Sequence, residues 1–397
     1  MIGALLLVGP IALADEASTA AAAARVDAAD FDSLQAAIDA VPATGGIVSI
    51  PPGKYELTEP LVIATGDVRI EGSGAATHLV CKHADGQPAV HIRDDGYAKD
   101  HRKKLWRVQL ADLRISGDAG SGDGILAQGV NEIYLHGVSI DHMGGHGISL
   151  VDCYEDARVC DSILTYNKKA GVNIHACHDM VISSNHFEEN DDALVCTDSF
   201  NLCMTGNNID DHLGNGVVIE KTYGSVVSGN MIEECQGVGV RLDRDCYGIT
   251  LSANVIAHNF GGGIDLVDAH GCAVSANTFV LNSVSSLTIG PKSGRIPVTG
   301  NSFCNSHIGG KIFREPKHDT AVGVQLVGTS HIVLSGNTFT GLTGAAITAN
   351  DACQRLVITG NNATDLYRTE DRGPAFDVAA AKESLVENNL ADDVEGE

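Results

Sequence analysis

The chain has 397 residues, 45 of them glycine and only 5% aromatic, a mix that suits many short strands and tight turns better than helices packed on large side chains. Its formal charge of −25 arises from 51 acidic against 26 basic residues, so the surface repels nucleic acid and anionic membranes. An anionic substrate would need a local basic patch or a bridging cation.

The N-terminal stretch "MIGALLLVGPIALADEAS" closes an apolar run on Ala12-Leu13-Ala14, a small-x-small cleavage pattern. Residues 1–14 are therefore expected to be a signal peptide, and the protein to be secreted or periplasmic. No later run is long and apolar enough for a membrane span. Residues 15–29, rich in alanine and acid, read as a linker. From Phe31 to Val41 the side chains of Leu34, Ala37, Ile38 and Val41 share one helical face, which predicts an amphipathic helix within a cap segment at 30–45. A basic insert, "RDDGYAKDHRKKLW" (93 to 106), offers Tyr97 and Trp106 for stacking on sugars. The 11 cysteines match no zinc-site spacing and read as small apolar core fillers. Cys153 and Cys177 fall at matching turns, so an inert stacked pair is expected there, with a disulfide as the alternative.

Beyond residue 130 the chain repeats itself. "ISSNHF", "MTGNNI", "VSGNMI", "LSANVI", "VSANTF", "VTGNSF", "LSGNTF" and "ITGNNA" align on Asn185, Asn207, Asn230, Asn254, Asn277, Asn301, Asn337 and Asn361, with a further copy at Asn388. A period near 23 with strand-type alternation builds one solenoid coil per repeat, its apolar faces buried only when coils stack. The asparagine column is structural: the residue suits a tight bend, and stacked amides can hydrogen-bond along the pile.

These repeats, with the "GG…IPPGKY" turn near residue 45, resemble the pectin- and pectate-lyase-like superfamily over residues 30–390, leaving 391–397 as an acidic tail. The resemblance implies a right-handed parallel β-helix of about 10–12 coils with an N-terminal helical cap. It also implies a substrate groove along one strand face. It does not choose an activity, because the scaffold carries lyases, hydrolases, epimerases, tailspikes and binding proteins. "GGHG" (144 to 147) and "NDD" (190 to 192) look like pieces of the polygalacturonase pattern in reversed order, and the Tyr-Gly…Asp-Pro-His pattern of mannuronan epimerases is absent.

Two outward columns should run along the strand that follows each "GG" turn. One carries Asn173, Arg241 and Asp265; the other carries His175, Glu220 and Asp243, with Lys221, Arg244, Asp268 and His270 just beyond. Neighbouring carboxylates must share a proton, pair with Arg241, Lys221 or Arg244, or bind Ca²⁺ through Glu220, Asp243 and Asp265. Each outcome suits cleavage of an extended, acidic polysaccharide. In hydrolysis, Asp243 with Asp265 or Glu220 forms an acid–base pair. In β-elimination, Arg241 or His175 is the base beside Ca²⁺. Asn173, Lys221, Arg244, Asp268 and His270 are expected to contact substrate, joined by Lys311 and Arg314 of a second basic insert, "HIGGKIFREPKHD". The alternatives are a ladder of surface ion pairs without catalytic use, and a non-catalytic carbohydrate-binding or cell-surface protein.

Overall fold

The computed structural model describes residues 24–305, 320–367 and 372–392. Its strands are parallel and stack coil upon coil. One 13-stranded sheet, the front sheet, runs from Leu61–Ile63 to Phe376–Asp377, and the remaining faces merge into a 29-stranded sheet. The column from Ala24–Asp27 through Gly46–Ser49 and Val68–Glu71 to Leu385–Glu387 gives about 15 turns, more than the 10–12 expected. The extra turns lie at the ends, where the repeat is too worn to read. Residues 24–27 belong to the solenoid rather than to a linker, because Ala24–Asp27 pairs with Gly46–Ser49 in register. At the other end Leu390–Ala391 still pairs with Asn362–Ala363. The expected signal peptide lies outside the described residues.

The helix is shorter than expected, Leu34–Asp39, capped by the Ser33 side chain accepting from the Ala36 N–H. Pro42 disfavours helical backbone at Val41 and stops it early. Leu34, Ala37 and Ile38 are buried as the pattern required. Gln35 exchanges hydrogen bonds with the Val62 backbone at 3.0 and 2.8 Å, satisfying one residue of the first front strand. The expected cap is thus represented by a single short helix.

The core is a thin column. Ile182, Met204, Val227, Leu251, Val274, Val298, Leu334 and Ile358 are fully buried, and Phe279, Phe303 and Phe339 stack face to face at 4.6 and 4.7 Å. At the bend, each asparagine Nδ2 donates to the Oδ1 of the next coil, at 2.9–3.1 Å from Asn185 to Asn361. The last member is Asn389, not Asn388. The left-handed residue is the one before each asparagine (Ser184, Ala253, Ala276, Asn388), or glycine at 206, 229, 300, 336 and 360. Glycine takes that backbone without strain and a small side chain crowds the bend least, which fits the Ser, Gly or Ala that stands there in each repeat from 184 to 360.

All 11 cysteines are free thiols. Cys153 and Cys177 stack as an inert pair, with the Cys153 N–H donating to the Cys177 sulfur at 3.4 Å. Ser199 and Thr222 fill the same turn position in the next coils and accept the same backbone N–H. Burial pushes the Cys196 and Cys246 thiols up to about 12, as befits core fillers.

Candidate functional site

The front sheet sets both outward columns as the alternation requires. Ser149, Asn173, Val195, Val218, Arg241, Asp265, Thr288 and Gln325 follow one another in register; Val151, His175, Thr197, Glu220 and Asp243 form the second column. Neighbouring coils are ~4.8 Å apart, so Glu220 faces Asp243 and Arg241 faces Asp265 across one strand spacing.

Ion pairing, one of the three ways to relieve the crowded carboxylates, is present. Arg241 donates to Asp243 at 3.2 Å, and Arg244 reaches Glu220 at 3.0 Å. The Asp243 and Glu220 side chains keep 20% and 18% of their exposure, so both pairs sit against the sheet with access to solvent. The oxygens of Glu220, Asp243 and Asp265 do not gather within 4.8 Å of one another; among the described residues only Asp210, Asp211 and Glu234 meet that condition, on a different face.

Asp265 differs from its neighbours. It is half-buried on the outward side, and its carboxylate takes no hydrogen bond from the described residues. Burial pushes its carboxyl above the ordinary carboxylate range; the Arg241 charge opposes this and the Asp243 charge adds to it. A carboxyl of raised proton affinity beside a second carboxylate that is paired to a guanidinium is an arrangement suited to giving and taking a proton in one step.

The other predicted residues are spread along the wall. His175 is exposed and bonds Thr197 at 3.0 Å; it stands three coils from Asp243, ~14 Å away. Asn173 donates to Ser149 at 3.0 Å, four coils from Asp265. Lys221 is exposed at the strand end. Asp268 meets His270 at 3.7 Å and Lys292 at 3.9 Å. Lys311 and Arg314 lie outside the described residues.

The insert at 93–106 does not offer Tyr97 to a sugar. Tyr97 is buried, its hydroxyl donates to Asp152 at 3.1 Å, and Lys104 pairs with the same carboxylate at 2.5 Å. The insert therefore buttresses the turn that follows the front strand Ile148–Val151, while Trp106 stays exposed beside Arg107. His146 of "GGHG" is likewise structural, its ring nitrogen accepting from the Ala170 N–H at 3.2 Å.

One feature escaped the sequence. Phe200, Tyr223 and Tyr247 stack at 5.1 and 5.0 Å along the turn beside the second column, with His178 tilted against Phe200 at 4.1 Å. His270 follows Tyr247 in register. The signal was present as an aromatic recurring about 23 residues apart, hidden by the loose turn preceding it. Stacked rings cover each other's faces, so the ladder shows its edges and hydroxyls to solvent.

No helix among the described residues is long and apolar enough to cross a membrane. No curated protein matches the chain by sequence. Among solved structures, two mannuronan C-5 epimerase A-modules of Azotobacter vinelandii are similar, at 17% identity with TM-scores of 0.58 and 0.59, covering 93% of this chain and 100% of theirs. The family 28 exopolygalacturonase of Yersinia enterocolitica aligns at 12% identity and TM-score 0.53, over 92% of this chain and 78% of its own. Identities this low establish the shared fold. The family model for the right-handed β-helix region matches residues 68–202 and 123–303, more than half of the chain together. With its parallel coils, asparagine ladder and three-faced core, the chain belongs to the right-handed β-helix family.

Proposed function

We propose that this protein is an exported carbohydrate-active enzyme that cleaves an extended, uronate-containing polysaccharide lying along the front sheet. Asp265 serves as general acid, and Asp243, or Glu220 in the same column, as general base. Asp265 protonates the departing glycosidic oxygen while the partner carboxylate takes a proton from the water that attacks the anomeric carbon. The observation that carries this reading is the raised proton affinity of Asp265 beside the Arg241–Asp243 pair. Two of the structurally similar proteins bear names of enzymes acting on uronate polymers, which supports the substrate class by analogy.

Hydrolysis fits better than β-elimination. Arg241 is tied to Asp243 as a charged donor, and His175 is three coils away, so neither stands ready as a base. Ca²⁺ on Glu220, Asp243 and Asp265 belongs to the elimination route. A second reading, a non-catalytic carbohydrate-binding wall, draws on the same ion pairs, since charges paired two by two need no chemistry to explain them.

Incubation with uronate and neutral polysaccharides, with and without chelator, decides among them. New reducing ends without ultraviolet-absorbing products, unaffected by chelator, are expected. Unsaturated products lost on chelation would instead establish elimination. Retention on immobilised polysaccharide with no product at all would leave the binding wall.

A further inference from the structure

Past Asp265 the solenoid carries a second, differently charged feature. A hollow of about 410 Å³ opens at the turn after the front strands, lined by Asp268, His270, Lys292, Arg295, Ser330 and His331 among others. Its side chains come from three consecutive coils, because His270 pairs in register with Gly294 and Gly294 with Ser330. Two full cations and two imidazoles face one carboxylate, in a chain whose 26 basic residues are outnumbered by 51 acidic ones.

The charges inside are poorly satisfied. Arg295 makes no ion pair with any described residue, although Arg355, two coils further on, is tied to Glu383 at 2.9 Å. Lys292 reaches Asp268 only at 3.9 Å, and the same carboxylate meets His270 at 3.7 Å, both longer than a strong charge-assisted bond. The His270 Nδ1 atom is buried without a hydrogen-bond partner among the described residues. Arg295 also sits in left-handed backbone at φ 57°, which fixes where its side chain leaves the turn. An exposed guanidinium and an exposed ammonium that line one open hollow, with donors left over, suit an anion.

We propose that this hollow is an anion subsite that receives the carboxylate of a uronate unit on the same glycan, beyond the cleavage point. The proposal rests on the function proposed above for its substrate class, and deepens it. Asp268 lines the hollow and follows Asp265 by three residues, so a chain lying on the wall passes from the acid to the cations within one or two coils. Arg295 and Lys292 would grip the carboxylate, and the Ser330 hydroxyl and His270 would bond the ring oxygens. Specificity for acidic glycans would thus come from a site apart from the reacting groups.

The test uses the full chain carrying Asp265→Asn, so that bound oligosaccharide survives, and compares a uronic-acid oligosaccharide with its carboxyl-reduced counterpart by calorimetry. Arg295→Gln is expected to weaken binding of the acidic oligosaccharide about tenfold and to leave the reduced one unchanged. Arg295→Lys should recover part of the loss, and raised salt should shrink it. Absence of binding by the acidic oligosaccharide, an unchanged affinity in Arg295→Gln, or an equal loss for both ligands would overturn the subsite. Turnover by the parent protein is read separately. Arg295-dependent binding without any turnover would sink the hydrolase reading and keep the subsite, while turnover with Arg295-independent binding would do the reverse.

Discussion

Two stretches of the front sheet, coils 217–266 and coils 322–349, share one construction and differ in what they show to solvent. Inward, Ile219, Leu242 and Leu266 in the first are matched by Val324, Leu326 and Ile347 in the second, all buried. Outward, the first carries Glu220, Arg241, Asp243 and Asp265, while the second carries Gln325 and Thr348 in the same register. Since the uncharged coils stack equally well, the scaffold does not require the charges. Cross-strand pairs of this kind contribute only about 0.2–1 kcal/mol each, too little to explain a half-buried aspartate that burial penalises. The charges of the first stretch are thus what folding leaves unexplained.

The sharpest way to break the comparison is at Asp265. Asp265→Asn is expected to lower turnover on an acidic polysaccharide by about 10²–10⁴-fold, the usual contribution of a general acid. Its effect on stability should have the opposite sign. The folded state holds the Asp265 proton more tightly than the unfolded chain, so stability falls as pH rises from the ordinary carboxylate value through the raised one. The asparagine variant escapes that loss, and its Tm at neutral pH should be equal to or above the parent's. A large fall in Tm with activity retained per folded molecule would make Asp265 a structural residue.

Next in size is a change inside the shared frame. Asn254→Ala removes the acceptor for the Asn230 N–H and Nδ2 and the donor to the Val227 carbonyl, all buried. With each stranded group costing about 1–3 kcal/mol, a loss of roughly 3 kcal/mol or more is expected in denaturant unfolding. Gln325→Ala on the uncharged stretch should stay within about 0.5 kcal/mol.

That contrast also shows what the sequence makes legible. The asparagine column, the buried positions three before it and the outward register were readable because each repeats in every coil. The spacing assigns the tight bend to the asparagine, whereas the left-handed residue is the one before it, since both recur together and spacing alone cannot separate them. Asn389 was missed for Asn388 because two asparagines adjoin. The outward columns gave the neighbours of Arg241 and Asp243 but not which acid each arginine would choose, as Arg241 pairs along its own strand and Arg244 across to Glu220. Tyr97 was misread because an insert obeys no period: its burial depends on where the loop folds, and Asp152 and Lys104 decide that.

A finer probe acts on Asp265 through its neighbour. The Arg241 charge lowers the Asp265 proton affinity, so Arg241→Gln should raise it further. The alkaline limb of the pH–rate profile, set by loss of the Asp265 proton, is expected to move to higher pH, whereas Thr288→Val on the other side should leave it in place. An unmoved limb in Arg241→Gln would separate that limb from Asp265.

The smallest effect expected is at Arg244, whose side chain keeps 64% of its exposure while paired to Glu220 at 3.0 Å. Arg244→Ala should cost at most about 1 kcal/mol, vanishing at high salt, because solvent screens an exposed pair and holding two long side chains costs entropy. The double variant Arg241→Gln/Arg244→Ala then distinguishes a site from a ladder. In a ladder, the two pairs support each other in one network, so the double variant would lose less unfolding free energy than the sum of the single losses and turnover would not enter. In a site, stability losses stay small and additive while the pH–rate profile shifts with Arg241 alone. Denaturant titration and a pH–rate profile on the same four proteins measure both.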